Sequence, residues 1–342
     1  GRLSYSWHPD HFSRISIGLD VARFASNKAT DSTGLAVFEN FTKLVPYIRV
    51  DFKPSNPRSS IRKWMDFKTY LITEDNFGHF AVSSKDSLIH PNSVGSSFRY
   101  VNQLSFNLED GRTLYPYDLR AEFQQSELFY RINLQANYFL NYPGGGGMRV
   151  RFFAAKFGVW NENRSTLVSR YEPKLLGLNG AEDYLYKDYF IGRSASYAIE
   201  NTSVPNGGLA AQQIMNRDGG LKLRIDDYDY LQGKSGNWVT ALNFNTTLPA
   251  KLFPFSLPIR IFFDFGTYAE AWEINPPTSR FLYVGGIQLS LLKNLLNIYA
   301  PLIYSSDFKT ALGTTNFGRK ITFSIDIQHI NYKKIIQKAA GS

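Results

Sequence analysis

Phe129-Tyr130-Arg131-Ile132-Asn133-Leu134-Gln135-Ala136-Asn137-Tyr138 is the stretch that decides how this chain folds. Its even positions are Tyr, Ile, Leu, Ala and Tyr, and between them stand Arg131, Asn133, Gln135 and Asn137. Successive side chains of a strand point to opposite faces, so a period of two gives this segment one greasy face and one wet face. The pattern repeats on both sides. Ile15, Ile17, Leu19 and Val21 alternate with Ser16, Gly18 and Asp20, and Pro46, Ile48, Val50 and Phe52 with Tyr47, Arg49, Asp51 and Lys53. Phe98, Tyr100, Leu104 and Phe106 oppose Arg99, Gln103 and Ser105, while Leu119, Ala121 and Phe123 oppose Asp118, Arg120, Glu122 and Gln124. Near the end of the chain Ile321, Phe323, Ile325 and Ile327 oppose Lys320, Thr322, Ser324, Asp326 and Gln328. Such polar faces are too charged for a dry core.

The alternation predicts an all-β chain of about thirteen strands, at 2–8, 14–26, 43–54, 60–75, 96–109, 116–126, 128–142, 148–160, 237–249, 258–270, 280–293, 295–305 and 319–330. A soluble sandwich or propeller would alternate as well, but three features favour a membrane. Many strands run longer than the usual five or six residues and suit a tilted bilayer crossing. Aromatic residues end the apolar faces (Tyr5 and Trp7, Tyr138 and Tyr142, Trp160, Trp238, Tyr268 and Trp272), as an interfacial girdle requires. Short connections at 9–13, 54–59, 110–115 and 143–147 alternate with long ones at 27–42, 75–95 and 161–236.

The expected fold is therefore a transmembrane antiparallel β-barrel over residues 1–330. Thirteen is odd, and bacterial single-chain barrels have even strand numbers. Gly1 falls directly into a strand, so N-terminal strands are expected to be missing, and the barrel is part or all of one with 14–16 strands. The connection 161–236, dense in Gly, Asn, Asp and Tyr, is expected to cover the mouth or fold into the lumen. A basic amphipathic tail at 331–342 is expected in the periplasm or at the interface.

Composition agrees. Of 342 residues 43% are hydrophobic and 15% aromatic, which excludes disorder. No stretch approaches the roughly 18 apolar residues of a spanning helix. The net charge of +9 is dispersed along the chain, which points away from nucleic acid and toward outer-membrane lipid and lipopolysaccharide as partners.

Chemistry is sparse. Without cysteine there is no thiol nucleophile or zinc-thiolate site. The five histidines, His8, His11, His79, His90 and His329, have no metal-ligand spacing. His8 and His11 bracket a turn and read as solvated. No G-x-S-x-G or Walker motif occurs, and Pro143-Gly144-Gly145-Gly146-Gly147 precedes a strand and reads as a turn. No catalytic residue, metal ligand or cofactor is expected, and the chain is not expected to be an enzyme.

The most informative strand is Ile259-Arg260-Ile261-Phe262-Phe263-Asp264-Phe265-Gly266-Thr267-Tyr268. Alternation places Asp264 inside the barrel with Arg260, Phe262, Gly266 and Tyr268, and Ile261, Phe263 and Phe265 outside. A mid-strand aspartate in a lumen must be paired or solvated. Gly266 leaves room for another backbone or side chain to approach, so the arrangement anticipates an arginine arriving from elsewhere.

Phe262-Phe263-Asp264-Phe265-Gly266 resembles the F-x-D-x-G strand motif of the outer-membrane-protein-85 superfamily, which includes the barrel subunit of the outer-membrane assembly machinery and the two-partner-secretion transporters. The flanking order is similar: Gly236-Asn237-Trp238 to Leu248-Pro249 before it, then Tyr283 to Ser290, Asn297 to Leu302 and Ile321 to Ile327 after it. The resemblance covers roughly 116–330, most specifically 237–330. It implies that the long loop enters the lumen and that an arginine of the loop meets the strand aspartate. The candidate is Tyr189-Phe190-Ile191-Gly192-Arg193, with Gly and Arg in reversed order, so the expected docking pair is Arg193–Asp264, supported by Gly192, Phe262 and Gly266. The family's acidic residue on the strand after the loop is here Asn243, and its periplasmic repeats have no counterpart in this sequence. The ending also looks like barrels C-terminal to certain Bacteroidota zinc aminopeptidase-like proteins.

The resemblance implies insertion or translocation of polypeptides at the bacterial outer membrane, with client polypeptides or accessory outer-membrane subunits as partners. The last strand, carrying Ile321, Phe323, Ile325 and Ile327, would form one side of a seam that opens. Two further possibilities are a non-catalytic barrel that anchors or exports an attached zinc peptidase domain, and a solute pore.

Overall fold

The computed structural model describes residues 1–30, 36–54, 56–77, 81–82, 89–90, 93–160, 169–180, 182–193, 205–225, 232–248, 258–292 and 294–327. Thirteen strands pair antiparallel, each with its chain neighbours, in a single sheet. They are β1 Arg2–Trp7, β2 Phe12–Thr30, β3 Ala36–Phe52, β4 Ile61–Phe77, β5 Ser93–Asp110, β6 Tyr117–Gln125 and β7 Phe129–Asn141. The remainder are β8 Gly147–Val159, β9 Trp238–Thr247, β10 Ile259–Tyr268, β11 Leu282–Leu291, β12 Leu296–Tyr304 and β13 Thr322–Ile325. A separate two-stranded ribbon joins Ala81–Val82 to Ile89–His90.

The strands are inside out relative to a soluble sheet. On β7, Ile132, Leu134 and Tyr138 are 48%, 38% and 43% exposed, whereas Arg131 is 3% exposed. Elsewhere Phe67, Phe98, Leu104, Phe123, Ile261 and Phe263 point outward, and Asp66, Gln103, Ser105, Glu122, Gln124 and Asp264 are buried. The outward aromatics include Tyr5, Tyr138, Trp160 and Trp272. Tyr268 does not belong to that girdle. It is buried on the inner face, where its hydroxyl lies 2.8 Å from Thr278 Oγ1.

Two expected loops contain strand instead. Residues 27–30 and 36–42 extend β2 and β3 into the connection expected at 27–42, where their antiparallel ladder continues to Thr30 opposite Ala36. In 75–95, β4 continues to Phe77 and β5 begins at Ser93. Four consecutive strands, β2 to β5, thus have 17 to 19 residues, against 4 to 13 in β6 to β13. At about 3.4 Å per residue they stand well beyond the roughly 30 Å hydrocarbon thickness of a bilayer, even when tilted.

The expected terminal strand, 319–330, begins later than its alternation implies. Helices α1 Ser306–Leu312 and α2 Phe317–Lys320 precede it. Asn316 caps α2 by accepting from Arg319 N at 3.1 Å, and Arg319 and Lys320 sit at its C-terminal end, where cations are favoured. Of the four expected seam residues, Phe323 and Ile325 lie in β13, Ile321 precedes it and Ile327 follows it. His79, His329 and the 331–342 tail lie outside the described residues.

The long connection is packed against the inner face of the sheet. Tyr171, Tyr184 and Leu185 form one apolar cluster with Val45, Tyr70, Ile72, Val101, Phe129 and Phe157, from β3, β4, β5, β7 and β8. A second cluster joins Leu175, Leu176, Ile214, Leu221, Leu223 and Ile225 to Phe153, Ala155, Val239, Ala241, Phe262, Tyr268, Leu282, Val284 and Tyr299, from β8 to β12, and to Phe308 and Leu312 of α1. One segment therefore touches both halves of the sheet, which curls around it. The lumen is not uniformly wet, since the inner faces of β8 to β11 are dry toward the long-loop end.

Candidate functional site

Asp264 sits at the centre of this packing with no exposure to solvent. Lys222 of the long connection meets it. Lys222 Nζ donates to Oδ1 at 2.8 Å and to Oδ2 at 2.9 Å, and its backbone N–H donates to Oδ2 at 3.2 Å. The ammonium also stands 5.1 Å from the Phe262 ring centroid and 5.7 Å from that of Tyr299, and those rings meet edge to face. A buried ion pair is retained only when geometry and extra hydrogen bonds offset its desolvation, and this pair has both.

The expected partner, Arg193, is elsewhere. Its Nη2 donates to Gly180 O at 2.8 Å and its Nη1 to Asp188 O at 2.7 Å, and its guanidinium lies 3.4 Å from the Asp183 carboxylate. Phe190 and Tyr186 flank it as aromatic faces. Arg193 thus ties the loop to itself. Gly192 goes with it, in the 3₁₀ turn Ile191–Arg193, close to Ala210. Phe262 and Gly266 are where the alternation placed them, beside Asp264. A Cβ on Gly266 would lie 2.4 Å from Leu175 Cδ2 and 2.7 Å from Thr240 O, so the room at this glycine is filled by a leucine of the loop.

The segment Asp218-Gly219-Gly220-Leu221-Lys222-Leu223 brings the cation to the strand. Leu221 and Leu223 are fully buried on either side of Lys222. A Cβ on Gly219 would approach Leu175 O to 2.5 Å, which requires glycine there. In the sequence its mark is an apolar–cation–apolar triplet after a glycine pair, with lysine where the resemblance implies arginine.

Around this lock the loop is pinned strand by strand. Arg131 of β7, nearly wholly buried, pairs with the Asp218 carboxylate and donates to Tyr171 O at 3.2 Å. Arg151 of β8 donates to Asp218 O at 2.7 Å, and Asn243 of β9 donates to Gly219 O at 2.9 Å. Glu74 of β4 accepts from Arg99 of β5, from Arg170 of the loop at 3.2 and 3.3 Å, and from the Tyr186 hydroxyl. Lys187 Nζ donates to Gln103 Oε1 at 2.7 Å. Burial pushes the Lys187 ammonium down to about 7, against the opposing pull of Glu122. Burial likewise pushes the Tyr184 phenol up to about 12.

The loop also reaches the end of the sheet. Ile214 N donates to Phe323 O at 2.8 Å, and Gln213 bridges Phe323 in parallel. Gln212 Nε2 donates to Ile321 O at 2.9 Å and to Gly318 O at 2.6 Å. Among the described residues the sheet runs from β1 to β13, and no ladder joins these two end strands. The outer edge of β13 is met by the loop instead.

His8 Nδ1 lies 2.7 Å from Ser13 O across its turn. Among the described residues no group of three or more His, Asp or Glu is placed to hold a metal ion. No family model matches the chain, and no curated protein matches it. Among solved structures it is similar to CdiB from Acinetobacter baumannii, with 11% identity and a TM-score of 0.38 over 89% of this chain and 47% of that one. The chain thus spans about half the length of that protein.

Proposed function

We infer that this chain is a membrane-spanning barrel of the bacterial outer membrane that inserts or translocates polypeptide, with the 161–236 connection as its internal gate. The apolar outward face and the charged, plugged interior support the membrane setting. One observation carries the polypeptide reading: among the described residues the outer edge of β13 is engaged by the loop, with the Ile214 N–H donating to Phe323 O, and not by β1. In lipid an unpaired edge is costly and templates another strand. A loop bonded there through one main-chain hydrogen bond and the Gln212 side chain covers the edge and remains exchangeable for an incoming strand.

The chain has no cysteine, so Gln213→Cys with Phe323→Cys introduces a single pair at the parallel bridge. In lipid vesicles the reduced protein is expected to speed insertion of an unfolded eight-stranded outer-membrane barrel, followed by its gel mobility. Oxidation is expected to stop this and reductant to restore it. Equal insertion in the two states would contradict the gate. A steady large conductance through the oxidised protein would indicate a solute pore.

A further inference from the structure

At the short-turn end of the lumen, beyond the Lys222–Asp264 lock, lies a cavity of about 940 Å³. Five arginines line it; Arg120 pairs with Glu122 and Arg217 with Asp183 and Asp188, which leaves Arg149 and Arg151 from β8 and Arg260 from β10. The carboxylates on its border are Glu109, Asp110, Asp118, Asp188 and Asp326, and among the described residues none forms an ion pair with any of the three. Arg151 is held by neutral groups, donating to Asn243 Oδ1 at 2.9 Å and Gln135 Oε1 at 2.8 Å. Among the described residues the Arg260 side chain donates only to Asn294 Oδ1, at 3.2 Å. The Arg149 side chain donates to no described residue.

Between the arginines runs a belt of side-chain amides. Asn245 donates to Gln288 Oε1, and Gln288 Nε2 donates to Asn297 Oδ1 at 2.8 Å. The Asn245 Oδ1 atom is buried and accepts no hydrogen bond. A buried acceptor without a donor is costly unless something supplies the donor, and the exposed Arg149 and half-buried Arg260, with no carboxylate paired to them, give the mouth a positive potential that attracts an anion. The missing partners are an N–H group and an anion. A peptide with acidic side chains carries both, whereas phosphate supplies only the anion. Guanidinium groups suit carboxylates in particular, because their forked donors match two oxygens. The amides, spaced by strands about 4.8 Å apart, suit the alternating donors and acceptors of an extended backbone.

We propose that this vestibule is a binding site for an extended acidic polypeptide segment, read by Arg149 and Arg260 through its carboxylates and by Asn245 through its backbone. The proposal rests on the polypeptide-handling reading above and names the class of segment the lumen receives first.

The test uses the full chain in detergent micelles and three fluorescent decapeptides, in which Glu, Gln or Lys alternates with Gly. Fluorescence anisotropy is expected to show the Glu peptide binding at least about tenfold more tightly than the Gln peptide, with a preference that falls as salt is added. Arg149→Gln with Arg260→Gln is expected to remove that preference, bringing the Glu peptide to the affinity of the Gln peptide, because among the described residues neither arginine forms an ion pair within the fold. Asn245→Leu is expected to weaken both peptides. Inorganic phosphate at matched ionic strength is expected to displace the Glu peptide no better than chloride does. Equal affinity for the Glu and Gln peptides, an unaltered preference in the double variant, or efficient displacement by phosphate would each overturn the proposal. If barrel insertion persists in the cysteine experiment while the Glu preference is absent, this inference falls alone. A Glu preference with no effect of the disulfide would remove the gate and leave the site.

Discussion

Asp264 is the residue on which the interior turns, and half of its environment was legible in advance. A period of two along β10 places it inside, with Phe262 and Gly266 beside it. Its partner was not legible, because Lys222 and Arg193 are both loop cations and only the path of the loop separates them. That path is set by Leu175, Leu221 and Leu223, whose burial is worth about 1.5–3 kcal/mol each. Lys222→Met leaves a wholly buried carboxylate without its cation and is expected to cost about 3–5 kcal/mol in urea unfolding from micelles. Adding Asp264→Leu is expected to recover most of that loss. A double-mutant cycle of Arg193→Gln with the same Asp264 change is expected to show coupling within about 0.5 kcal/mol of zero.

A second residue-scale expectation concerns Lys187. Its ammonium is held at about 7 inside the sheet, against an ordinary value of 10.5. Between those values the undocked loop binds more protons than the docked one, so docking strengthens as pH rises from about 7 to about 10. Below 7 the charge is present in both states and the cost of burying it is felt in full. Protection of the loop from protease should therefore be greater at high pH than near neutrality, and Lys187→Met should flatten that slope.

Among the elements, the strands were the most legible part, since about thirteen were expected and, among the described residues, thirteen pair in the main sheet, with the ribbon at 81–82 and 89–90 unforeseen. Two departures have physical causes. The short α2 replaces the start of the last strand because its cap and charged end favour a helical turn over alternation. Toward the long-loop end the inner faces of β8, β9 and β11 carry Phe153, Phe157, Val239, Ala241 and Val284, so alternation there is apolar on both sides and gives no wet face to read. Only the docked loop explains them. Gly266→Ala tests this element-level contact, because the added methyl meets both the Leu175 side chain and a backbone oxygen of β9. The change is expected to lower stability by about 1–3 kcal/mol and to raise protease sensitivity within 169–225, leaving the strand content by circular dichroism unaltered.

For the whole molecule, the sheet curls around its own connection and presents its apolar side outward. Sequence alternation alone could not show that the loop, and not β1, meets the edge of β13. That contact joins residues about a hundred positions apart through main-chain atoms, which leave no mark on side-chain pattern. The orientation of the sheet is the claim that all else requires. It is tested most directly by placing single cysteines at 131 to 138, attaching a spin label in lipid vesicles, and measuring relaxation by oxygen and by a water-soluble nickel complex. Labels at 132, 134 and 138 are expected to favour oxygen, and those at 131, 133 and 135 to be shielded from it, in a period of two. Nickel access at 132 and 134 equal to that of a soluble surface, or no alternation at all, would contradict a sheet whose apolar side faces lipid.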